Sequence, residues 1–125
     1  MSDRQFPNSG RMYCNEHFPV AIFGKITAAA DVAANGYTVT EGGEFITSVT
    51  RTAEGVARIL LSDSYNQLLS VQAILSLDDY TVHYTAEDVD GSTPYIDLTF
   101  RTGAADTDPD SAIIFLAIHL KNSVS

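Results

Sequence analysis

The sequence predicts an all-β fold: a single antiparallel β-sandwich or jelly-roll-like domain of about seven to eight strands with an extended N-terminal arm. Three observations predict it. The chain has 125 residues, enough for one hydrophobic core and too few for two. Its apolar set leans on Val, Ile, Leu, Phe and Tyr, and these recur with a period of two, the repeat of a half-buried strand. The alternating runs are separated by turn signals at Gly42-Gly43, Glu54-Gly55, Asp78-Asp79, Asp90-Gly91 and Gly103. Residues 1–18 form the arm and residues 19–125 the sandwich.

Residues Met1 to Glu16 show little periodicity, and Arg4 and Arg11 balance Asp3 and Glu16. This pattern fits an extended arm or a frayed terminus, either dangling or lying across a neighbour. Pro19 to Ala29 is the first strand, carrying Val20, Ile22, Phe23 and Ile26. The alanine-rich stretch Ala28 to Ala34 fits either a loop or one helical turn, and Asn35-Gly36 would stop a helix there. Tyr37 to Thr40 is a short β run. Phe45 to Thr52 and Val56 to Leu61 form a hairpin about Ala53-Glu54-Gly55, with Gly55 free to take a positive φ. Ser62 or Asp63 is placed to cap a helical turn running to Leu68. Leu69 to Leu77, Tyr80 to Ala86 and Tyr95 to Thr102 alternate as strands, with an acidic loop from Glu87 to Pro94. Ala112 to Asn122 is the last strand. Its near-continuous apolar start predicts a central strand buried on both faces.

The formal net charge is −9. So acidic a surface repels phosphate backbones and anionic lipid, which predicts neither nucleic acid nor membrane as partner. Cys14 is the only cysteine, so no internal disulfide forms and a reducing compartment is expected. The N-terminal residues lack the apolar core of a secretory signal, and the run Ala112 to Leu120 is too short to span a bilayer. Synthesis in a cytoplasm is the corresponding expectation.

Several residue groups could carry chemistry. Asp106, Asp108 and Asp110 alternate in a way that can ring Ca²⁺, yet Ser111 and Ala117 stand where such a loop needs Gly and Glu, so a solvated loop is expected. Cys14 and His17 have a C-x-x-H spacing, but zinc would then need the distant His83 and His119 to converge on them. His83 is expected on the polar side of its strand, and His119 in the core or an interface. Asp78-Asp79 and Glu87-Asp88-Asp90 could supply a carboxylate pair for glycoside hydrolysis only if folding sets their separation. Tyr80, Tyr84 and Tyr95 could form an aromatic platform for sugars, although strand tyrosines more often pack half-buried. No nucleophile elbow, phosphate-binding loop, dinucleotide fingerprint or metalloprotease motif occurs, and no cofactor is predicted. The expectation is a protein that is not an enzyme.

The segment Gly43 to Ala73 adds a resemblance. Ser48-Val49, Arg51, Gly55, Ile59, Leu61, Asp63, Tyr65 and Leu68-Leu69, with the ending Lys121-Asn122-Ser123, resemble a pattern of small virion proteins of tailed bacteriophages. Ala53-Glu54 departs from that pattern, which has a glycine-containing turn start. The resemblance implies a capsid decoration or cement protein: a structural virion component, often a homotrimer, that binds the major capsid protein on the outside of the shell. The arm would then lie over a neighbouring subunit, with Arg4, Phe6, Arg11, Tyr13 and Phe18 as partner-binding candidates. The alternative is a carbohydrate-binding β-sandwich module of a phage tail or receptor-binding assembly. Arg51, Gly55, Asp63 and Tyr65 read as fold-defining residues, with the binding surface elsewhere.

Overall fold

A computed structural model describes residues 19–121. Among them nine strands and one short helix form two antiparallel sheets, the sandwich that the alternating sequence predicts. The strands are β1 (Pro19–Ala28), β2 (Tyr37–Glu41), β3 (Ile46–Ala53), β4 (Val56–Leu61), β5 (Gln67–Leu75), β6 (Tyr80–Glu87), β7 (Tyr95–Thr102), β8 (Ala105–Asp106) and β9 (Ile113–Lys121). Helix α1 (Val32–Asn35) joins β1 to β2.

Sheet I has the order β2-β1-β9-β5 and sheet II the order β3-β4-β7-β6. The two-residue β8 pairs with β7, following the line of β4 past Gly55. The strand count exceeds the expected seven to eight because of β8, which is too short to show a period. Hairpins link β1 to β2, β3 to β4 and β6 to β7. The β2–β3, β4–β5, β5–β6 and β8–β9 connections change sheet, which ties the two layers together.

The core fills the space between the layers. Ile22 and Ile26 of β1 and Ile114, Leu116, Ile118 and Leu120 of β9 meet Ala57, Ile59 and Leu61 of β4 and Ile96, Leu98 and Phe100 of β7. Each set keeps the parity of its strand, with buried Gly24 between Ile22 and Ile26, so strict alternation delivers one face of each strand inward.

The local readings differ from the structure at identifiable points. The segment after Leu61 is not a helical turn: residues 62–66 are irregular and β5 begins at Gln67. Backbone pairing explains this, since the Tyr65 N–H donates to the Val89 carbonyl (2.8 Å) and the Asn66 N–H to that of Lys121 (2.9 Å). In β3, an irregularity between Ile46 and Ser48 shifts the parity, so that Ile46 and Val49 both enter the core. The last strand is central, between β1 and β9's other neighbour β5, but only one of its faces is buried. The strand covered on both faces is β7, where Ile96 to Phe100 are all buried.

Burial on both faces obliges β7 to satisfy polar groups. Asp97 receives two hydrogen bonds from Arg58, Nε to Oδ1 at 2.9 Å and Nη2 to Oδ2 at 3.0 Å. The guanidinium carbon of Arg58 lies 3.9 Å from the centroid of the Tyr95 ring. A two-point ion pair under a stacked arginine thus roofs the outer side of sheet II.

Candidate functional site

The 106–110 segment is a structural clasp rather than a solvated loop. Each carboxylate is held by a different partner. Asp106 accepts from Arg101 Nε at 2.8 Å. Asp108 accepts from Arg51 Nε at 3.1 and 3.0 Å and from the Gly55 N–H at 2.8 Å. Asp110 accepts from the Val32 N–H at 3.0 Å, which caps α1 from across the chain in place of Asp31. Pro109 between them is fully buried. Oxygens directed to three separate donors do not ring a cation, and no group of three His, Cys, Asp or Glu side chains among the described residues could hold a metal ion.

The clasp explains why Arg51 and Gly55 are conspicuous. Gly55 sits at φ +76°, and its carbonyl accepts the Phe100 N–H at 2.6 Å. A Cβ there would lie 2.6 Å from the Thr107 nitrogen. Glycine is therefore required both by the turn and by the close passage of the 106–108 backbone. The Tyr80 hydroxyl donates to the Asp108 carbonyl at 2.8 Å. The Asp108 hydrogen bond also holds the Arg51 guanidinium above its ordinary pKa. Beside it Tyr37 is raised well above the usual phenol range, first by burial and then by the Asp108 charge. Its buried hydroxyl has no hydrogen-bond partner among the described residues. Tyr65 is buried, as a fold-defining residue should be.

The remaining candidates lie apart. Tyr80 is committed to the clasp, Tyr95 lies beneath Arg58, and Tyr84 is exposed beside Leu69 on the side of the sandwich. They make no common platform. His83 is exposed, with Nε2 3.2 Å from Thr81 Oγ1. His119 is half-buried on the outer face of sheet I, with Nδ1 3.2 Å from Ser70 Oγ and its ring set edge-on to Phe23. Glu87 binds its own loop through the Val89 N–H at 2.8 Å. Cys14 and His17, and the arm candidates Arg4, Phe6, Arg11, Tyr13 and Phe18, lie outside the described residues.

The outer face of sheet I is the feature that sequence reasoning missed. The register builds it in rows across the strands. Lys25, Phe115 and Ile74 form one row, Phe23, Ala117 and Gln72 the next, and Ala21, His119 and Ser70 a third. Phe23 is 66 % exposed, Ile74 69 % and Phe115 50 %. A shallow hollow of about 290 Å³ lies between Phe23, Lys25, Gln72, Ile74 and Phe115. The four strands of this sheet carry a single carboxylate, Glu41, together with Lys25, Lys121 and His119. The other acidic residues of the described body all lie outside it. The signal was present in β9, where Ile113, Phe115 and Ala117 alternate with Ile114, Leu116 and Ile118. Two apolar faces read as double burial, whereas one of them is open.

Among the described residues no helix is long and apolar enough to cross a membrane. No family model matches the chain, and no significantly similar curated protein or solved structure was found.

Proposed function

We propose that the chain is a structural virion protein that binds and stabilises the outside of a tailed-bacteriophage capsid, docking on the major capsid protein through the outer face of sheet I. One observation carries the reading: an apolar, nearly carboxylate-free face on a domain of net charge −9. An acidic particle approaches a large partner most cheaply through its least acidic surface. Contiguous exposed apolar surface rimmed by polar groups marks such contacts. Four strands of up to ten residues span roughly 30 by 19 Å, or roughly 550 Å². That approaches the ~800 Å² per partner of a stable interface. The resemblance of residues 43–73 to small virion proteins supplies the class of partner. The carbohydrate-binding alternative draws no support from its three dispersed tyrosines.

Co-sedimentation of the full chain with preformed shells of a tailed-phage major capsid protein tests the proposal. Phe115→Lys with Phe23→Lys is expected to weaken shell binding at least tenfold while leaving the melting curve within a few degrees, because both side chains are exposed. Shell binding undiminished by this double substitution would overturn the docking face. Deleting residues 1–16 is expected to weaken binding further, and unchanged binding would remove the arm from the interface.

A further inference from the structure

We infer that two copies of this chain pair antiparallel through the edge of β5, which no strand covers among the described residues, joining their sheets I into one continuous sheet of eight strands.

Open sheet edges are templates for pairing, and folded proteins guard them with charges, prolines, bulges or short length. The edges here differ in exactly these guards. β2 is five residues long and ends in Glu41. β3 is irregular at two places and carries Arg51. β6 is irregular near Thr85 and ends in Glu87. β5 is nine residues long and reads Gln-Leu-Leu-Ser-Val-Gln-Ala-Ile-Leu, with no charge and no proline. Its one irregularity, between Leu68 and Ser70, leaves the rest of the strand regular.

The orientation of the free groups follows from the pairing with β9. The Ser76 N–H donates to the Ile113 carbonyl at 3.0 Å. Alternation along an antiparallel ladder then turns Ile74, Gln72 and Ser70 toward β9 and leaves the N–H and C=O of Val71, Ala73 and Leu75 directed outward. A second copy placed about a two-fold axis at Ala73 sets Val71 against Leu75, Ala73 against itself and Leu75 against Val71, which forms about six backbone hydrogen bonds. The same axis brings Gln72 opposite Ile74, so exposed Ile74 gains a neighbour on its open side. Leu69, 50 % exposed, then lies across from Leu77 of the second copy. Beside β5 runs a groove of about 390 Å³ lined by Leu68, Leu69, Ser70, Val71, Tyr84 and Glu87, which gives the incoming strand apolar contacts at Leu68, Leu69 and Val71.

Self-complementarity selects a second copy as the occupant. Two bodies of net charge −9 repel each other over most of their surfaces, and the nine residues of β5 are an uncharged stretch; the like charges, Glu87 beside Leu69 and Asp78 across from Leu68 of the second copy, fall at the ends of the seam. A self-complementary strand is also what a two-fold contact requires, since the same patch serves both sides. The side of the sandwich, about 30 Å long and about 20 Å deep, offers roughly 600 Å² per copy. That lies at the lower limit of specific pairs, so a weak, concentration-dependent dimer is expected. The inference rests on β5 alone and not on capsid binding.

Sedimentation velocity and light scattering of the full chain from about 1 to 200 µM are expected to show a concentration-dependent shift from one chain mass to two. Ala73→Pro removes an N–H that points away from β9, so it is expected to abolish the dimer while the monomer keeps its β-sheet circular dichroism. A register test holds even if that variant fails to fold. In a Cys14→Ser background, Gln72→Cys and Ile74→Cys chains are mixed and oxidised. Disulfide-linked dimers are expected in the mixture and scarcely from either chain alone, because only Gln72 and Ile74 face each other closely. A strict monomer at 200 µM, a trimer, or a dimer that survives folded Ala73→Pro without mixed cross-linking would each overturn the inference. A monomer that uses this edge only to bind shells would assign it to a foreign strand and overturn it likewise. Phe115→Lys leaves the dimer mass unchanged, so loss of shell binding and loss of pairing read out separately.

Discussion

Asp108→Ala should unlock the clasp that joins the β3–β4 turn to the segment preceding β9. Its carboxylate accepts the buried Gly55 N–H at 2.8 Å and both contacts from Arg51 Nε, with only 12 % of the side chain exposed. Truncation removes the partner of the buried Gly55 donor. A buried donor without a partner costs about 1–3 kcal/mol. The Arg51 pair is open to solvent on one side, so no separate energy is credited to it. With an unfolding entropy of about 2.1 cal/mol/K per residue, a loss of about 2 kcal/mol corresponds to a fall of about 8 °C in Tm for a domain of this size. Asp108→Asn keeps an oxygen for the Gly55 N–H and loses only the charge, so its Tm should fall by less than half as much. Thermal melts followed by circular dichroism, with urea titrations as a check, measure both. An Asp108→Ala protein melting within about 2 °C of the parent, or an Asn variant as unstable as the Ala variant, would refute the assignment of the clasp to the Gly55 hydrogen bond.

Two further outcomes follow from the same corner of the molecule. Gly55→Ala must adopt φ +76° and place its Cβ 2.6 Å from the Thr107 nitrogen and 2.8 Å from the Phe100 oxygen, so a loss of at least about 1–2 kcal/mol is expected in urea unfolding. Tyr37→Phe removes a buried hydroxyl without a partner among the described residues and should be neutral or stabilising by up to about 1 kcal/mol. The folded state also keeps the Tyr37, Tyr65 and Tyr80 phenols protonated above their ordinary pKa, chiefly through burial. Their contribution is complete below about pH 10 and is lost as pH rises from there through the raised folded values, because the unfolded chain releases those protons first. Urea midpoints measured between pH 9 and 12 should therefore fall less steeply for Tyr37→Phe than for the parent.

Where local rules act alone, the sequence and the structure agree. The alternation in residues 56–61, the turn at Gly55 and the stop at Asn35-Gly36 each depend on backbone geometry and the nearest neighbours, and each is found where the residues place it. The clasp was not legible. Its partners are separated by 53 residues between Gly55 and Asp108 and by 78 between Val32 and Asp110, and carboxylates spaced two apart look the same whether solvated or held. The arm candidates fall on residues the structure does not describe, so that part of the reading stands as a proposal.

The period-two pattern and the turn residues determined by themselves that the described residues fold as an antiparallel sandwich, because side-chain direction along a strand is a local property. Which of two apolar faces is covered is not a local property. Ile96 to Phe100 alternate in the sequence yet are buried on both sides, since Arg58 and Tyr95 roof them. Ile113 to Leu120 are nearly all apolar yet open on one side, since among the described residues no other strand or helix packs over that face and only the Lys25 ammonium approaches the Phe115 ring. Only the stacking of the two sheets decided that difference, because it set which face of each strand another layer could cover.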